Sequence, residues 1–130
     1  MFQRDYIMRA VQQAAEALAR AVRALLNKKE DEAEQALAEG YNALGIDREL
    51  LLLLDATSLR SQLADDEKVA MAVRLLLGDA EVQQSRGESA AALRRLRAAI
   101  RLAATLPTLP TPDETLDAEL ARVREALGAD

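Results

Sequence analysis

Glu32-Ala33-Glu34-Gln35-Ala36-Leu37-Ala38-Glu39-Gly40 and Gly87-Glu88-Ser89-Ala90-Ala91-Ala92-Leu93-Arg94-Arg95-Leu96-Arg97-Ala98-Ala99 share one spacing, and it points to the architecture of the chain. Each holds a small residue, a leucine four positions on and a small residue three further. The sets are Ala33, Leu37, Gly40 and Ala92, Leu96, Ala99. Steps of four and three bring three side chains onto one helix face. Small residues on that face let a neighbouring helix approach closely. Each stretch therefore reads as a helix with one face packed closely on a neighbour. The sets lie 59 positions apart.

Working outward, the segment from about 3 to 26 predicts a long amphipathic helix. Ile7, Val11, Ala14, Leu18, Ala21, Val22 and Leu25 form its apolar stripe. Asn27, with Glu30 three residues on, predicts an N-cap and capping box for the next helix. That helix runs to about Leu44 and buries Ala33, Ala36, Leu37, Gly40, Tyr41 and Leu44, with Gly45 as its C′ residue. Asp47 predicts the following cap, and Ile46 and Leu51 a hydrophobic staple. Five consecutive leucines at 50–54 are apolar on every side. They predict a helix buried between others or lying at an interface. Ala56-Thr57-Ser58 reads as a break, followed by a short helical turn through Leu63. Asp65-Asp66-Glu67 starts another helix, with Val69, Val73, Leu76, Leu77 and Ala80 inward. Gly87 is the hinge into a helix that turns Leu93, Leu96, Ile100 and Ala103 inward.

The segment 106–112 contains three prolines and reads as a linker. Thr111-Pro112-Asp113-Glu114 supplies an N-cap, a proline at N1 and an acid at N3. Leu116, Leu120, Val123 and Leu127 then mark a docking helix over 113–127. The whole predicts one all-α domain of five to six helices in antiparallel pairs.

The chain has 130 residues, a net charge of −5, and no His, Cys or Trp. Alanine and leucine fill 50 positions. The missing types carry much nucleophilic, acid–base and metal chemistry. The acidic clusters at 30–32, 65–67 and 113–114 sit at helix starts, where the helix dipole already accounts for them. No Glu-x-x-His motif marks a carboxylate metal site, and no glycine-rich loop cradles a phosphate. We expect no enzyme activity, no cofactor and no small-molecule substrate. The acidic balance and three aromatic residues argue against nucleic acid. No apolar run spans a membrane and no leader pattern opens the chain, so the expected location is the cytoplasm. The Ala/Arg-rich usage looks bacterial.

The two decisive stretches resemble the second helix of a tetratricopeptide hairpin. Gly87, five residues before Ala92, matches that motif's turn glycine. Asp79 and Gln83 depart from it, standing where the pattern wants apolar residues. The opening Phe2-Gln3-Arg4-Asp5-Tyr6-Ile7-Met8-Arg9 resembles the start of a group of small uncharacterised bacterial helical proteins with an Asp-Tyr-Ile-Met-Arg motif. The resemblance implies a tetratricopeptide-like fold and carries no catalytic residues. A generic helical bundle is the alternative.

The expected function is a non-enzymatic protein-interaction module or small scaffold, as a homodimer or with another protein. Its candidate contact residues are Arg94, Arg97 and Arg101 on one helix face, Leu51 and Leu52 in the leucine run, and Leu116, Leu120 and Val123 on the last helix. The arginines suit a partner's carboxylates, or equally the chain's own acids. A helical regulator at the membrane surface, using the amphipathic first helix, is the second reading. A carboxylate-based enzyme is the third.

Overall fold

The computed structural model of the chain describes residues 2–106 and 114–127. Among them are seven helices and no strand. These are α1 (Phe2–Leu26), α2 (Glu30–Ala43), α3 (Arg48–Leu53), α4 (Ala56–Leu63), α5 (Asp66–Ser85), α6 (Ser89–Ala103) and α7 (Glu114–Ala126). The fold is all-α. The short turn expected before Leu63 is a complete helix, α4.

Two helical hairpins, α1–α2 and α5–α6, make up most of the molecule. Their turns are built alike. In the first, the N–H groups of Lys28 and Lys29 donate to the carbonyls of Leu25 and Ala24 at 3.0 and 2.8 Å. In the second, Gly87 and Glu88 donate to Gln84 and Gln83 at 3.0 and 2.8 Å. Both are Schellman closures, which need a left-handed residue at C′. Gly87 takes that conformation with φ 78°, and Lys28 takes it with φ 59°. The 59-residue offset of the sequence pattern therefore extends to the turns. Gly45 closes α2 in the same way.

This turn overrides the expected Asn27 cap. The Asn27 N–H bonds to the carbonyls of Arg23 and Ala24, so Asn27 finishes α1 instead of opening α2. Lys29 is the N-cap residue of α2 and makes no side-chain cap. Aspartates do the capping farther on. Asp47, Asp55 and Asp65 accept from N–H groups in the first turns of α3, α4 and α5. Asp55 moves the expected break back from Ala56-Thr57-Ser58, which begins α4.

α5 is the hub. It packs on both α1 and α2 as well as on its own partner α6. It runs with α1, since Arg4 lies 3.2 Å from Asp65. It runs against α2, since Ser85 Oγ donates to Glu30 at 3.0 Å. A helix so surrounded is apolar almost all round, and twelve of its residues are buried. α1 meets its neighbours through Ala10, Ala14, Ala17, Ala21 and Ala24, with Val11, Leu18 and Leu25 at the margins. The expected stripe is thus rotated toward the alanines, because only methyl groups fit where helices run this close. Gly40 marks a tight approach: a β-carbon there would lie 2.8 Å from Leu75 Cδ2.

α6 shows a similar rotation. Ala92, Arg95, Ala99, Leu102 and Ala103 are buried, while Leu93, Leu96 and Ile100 are partly so. α3 and α4 pack beside α6. α7 lies against the body with Leu116 and Leu120 buried in the common core. The linker prolines and the Thr111 cap fall outside the described residues.

Candidate functional site

The five leucines at 50–54 do not all enter the core. Leu51 is buried, Leu52 and Leu54 are half-buried, and Leu53 is 83 % exposed. A helix of six residues turns less than twice, so it cannot bury a leucine run on every side. The other wall of the space beside it is α6. Together they enclose a groove of about 700 Å³. Leu51–Leu54, Leu59 and Leu102 supply its apolar surface, and Arg94, Arg97 and Arg101 line the α6 side.

The three arginines recur at i, i+3 and i+7, which aligns them over about 10 Å of helix. All are exposed, and none is ion-paired among the described residues. None of the described acids neutralises this stripe. Arg95, next in sequence, behaves oppositely. It points inward, with Nε 2.9 Å from Asp79 Oδ1. That contact is ionic, because the N–H is not aimed along a hydrogen-bond line.

Asp79, itself without exposed surface, anchors a second polar cluster. Tyr41 Oη donates to Oδ2 at 2.9 Å. Arg48 donates through Nε at 3.0 Å and through Nη2 at 2.7 Å, a bidentate pair. Gln83 Nε2 donates to Glu34 at 2.6 Å and to Asp79 at 3.3 Å. Glu34 also lies 3.1 Å from Arg48 and 3.4 Å from Arg86, which pairs with Asp31 as well. The cluster joins α2, α3, α5 and α6. Burial, the Asp79 charge and the hydrogen bond to it raise the Tyr41 phenol well above its ordinary range. Burial opposes the charge of Glu34, yet hydrogen bonds from Gln83 and Arg48 and two nearby guanidiniums hold its carboxyl below the usual value. With its ions matched and its centre dry, this cluster is a clamp between hairpins. Asp79 and Gln83, the misfits in the sequence pattern, are its core.

The candidate residues therefore divide. Arg94, Arg97, Arg101 and Leu52 meet in the groove, with Leu51 as buried floor. Leu116, Leu120 and Val123 lie elsewhere. The first two are buried within this chain and Val123 is partly buried against the core. On that side Glu81 faces α7, and burial and the Glu119 charge push its carboxyl upward. Sequence reading missed Leu53 as the groove's most exposed leucine. Among the described residues no group of three or more acidic side chains is placed to hold a metal ion, and no helix is long and apolar enough to cross a membrane. No protein-family model, curated protein or solved structure matches this chain.

Proposed function

We propose that this chain is a non-catalytic protein-interaction module of tetratricopeptide-like build, working in the cytoplasm through the groove between α3–α4 and α6. One observation carries the reading: an open leucine surface stands beside three guanidiniums that have no ion pair among the described residues. Leucine surface gains from burial, at about 25 cal/mol per Å². Arginine combines that gain with directed pairing to carboxylates, and for this reason it is enriched at protein interfaces. The sequence resemblance to small bacterial helical proteins supports the tetratricopeptide-like build of this reading and carries no activity. The membrane-surface reading receives less support, because α1 spends its alanine stripe inside the molecule.

A photo-crosslinking amino acid at Leu53 tests the proposal in the native host, with exposed Gln12 as the control position. The expected outcome is a protein adduct at position 53 that is missing at position 12. Adducts to lipid alone, or equal adducts at both positions, would reject it.

A further inference from the structure

We propose that the occupant of the groove is a second copy of this chain, docked across a two-fold axis. The inference rests on reading the groove as an interaction surface and names what fills it. The α6 wall carries Arg94, Arg97 and Arg101. On the α3–α4 side, exposed Asp55 lines the groove, and exposed Glu49 stands on α3 one turn before Leu52 and Leu53, which line it too. The arginines of that side are spent elsewhere: Arg48 on Asp79 and Glu34, and Arg60 on Asp66. One wall is therefore basic, the other acidic, and leucines lie between them.

Such a bipolar patch is complementary to itself. A two-fold axis through the middle of the groove exchanges the walls. Each acidic wall then faces the partner's basic wall, as an isologous interface requires. The same rotation brings leucine against leucine. Leu53, 83 % exposed, lines the groove, and Leu50, 43 % exposed, precedes it by one turn of α3 to make a short ridge. Beside that ridge lies the concave floor that a ridge from another copy can enter. A uniformly acidic partner would suit the α6 wall but meet like charge on the α3–α4 wall, and like charges across an interface are costly. A second copy meets neither penalty, and it covers the most exposed leucine of α3.

The experiment is light scattering over a dilution series, on the full chain and on two charge reversals, Arg97→Glu and Glu49→Arg. The native protein is expected at twice its 14.2 kDa chain mass at high concentration. Each reversal sets two like-charge pairs across the axis, and it should weaken dimerisation by about tenfold or more. Mixing the two variants restores both pairs, so the mixture should recover a mixed dimer that neither variant forms alone. Leu53→Asp should dissociate the dimer with the helical circular dichroism unchanged. Glu49, Leu53 and Arg97 are all exposed, so these variants leave the core intact. A chain of 14.2 kDa at every concentration overturns the inference. So does a dimer that survives both Leu53→Asp and Arg97→Glu. A monomer that still yields a Leu53-specific adduct to a different protein would overturn this inference alone. A monomer without an adduct would overturn the interaction reading too.

Discussion

Asp79 is a carboxylate with no exposed surface, held between two guanidiniums and a phenol. A buried ion pair adds little net stability, but removing one partner strands the others in a medium that solvates charge badly. Asp79→Ala should therefore cost about 3–5 kcal/mol, read as a fall in the urea midpoint. Arg48→Met should cost less, since Arg95 still balances Asp79. Glu34 gives the cluster a pH dependence. Its carboxyl titrates lower in the folded chain than its ordinary 4.5, so the stability it contributes is complete above that value and drains away as pH falls below it. Denaturation midpoints in acid should show this loss, and Glu34→Gln should flatten it. The sequence signalled this site only as a misfit: two polar residues where a helix pattern wants apolar ones. Their partners were out of sight. Arg48 lies 31 residues away in the chain, and Arg95 stands beside the Arg94, Arg97 and Arg101 face with nothing in its spacing to single it out. Sequence spacing reveals which residues share a helix face, but not which face of another helix arrives opposite.

The helices themselves were largely legible, because 3.6-residue periodicity and capping are local. Asp47, Asp65, Gly45 and Gly87 act as their sequence neighbourhoods suggest. Asn27 does not, since the Schellman turn claims it first. That turn carries a correctable flaw. Lys28 occupies a left-handed conformation that glycine reaches without a side-chain penalty. Lys28→Gly should stabilise the chain by about 0.5–1 kcal/mol in thermal or urea unfolding. Two helix glycines separate in the opposite test. A β-carbon at Gly78 would press 2.7 Å from Leu18 Cδ1, the tip of a half-buried side chain that can swing aside. At Gly40 the obstacle is Leu75, fully buried in the hub helix. Gly78→Ala should come out near neutral or slightly stabilising, with helix propensity worth about 1 kcal/mol. Gly40→Ala should destabilise by about 1–3 kcal/mol through overpacking. The leucine run shows where element-level reading fails. Composition announces an apolar helix, but length decides how many of its faces a neighbour can cover.

On the scale of the molecule, the second hairpin nests against the first and α7 lies on the outside. α7 is held chiefly by Leu116 and Leu120. Leu120→Asp should release it, with helical signal lost from about its 13 residues and the hairpins intact. Hydrogen exchange resolved by segment would show the loss confined there. Glu81 works against the same docking. Its carboxyl is raised, so the docked state is favoured in acid and loses that advantage as pH rises through the shifted value. Glu81→Gln should increase protection of α7 at neutral pH and change little in acid. The two hairpins were anticipated by the 59-residue echo, whereas the groove was not, because one wall is the leucine run, the other is α6 far along the chain, and the two meet only after folding. The central position of α5 also governs the order of events at the ribosome. The chain emerges from its first residue onward, so α1 and α2 appear well before the helix they both need. Tyr41 waits for an acceptor 38 residues downstream, and that acceptor waits for Arg95. Until α5 has followed, the faces that α1 and α2 turn toward it stay uncovered on the nascent chain.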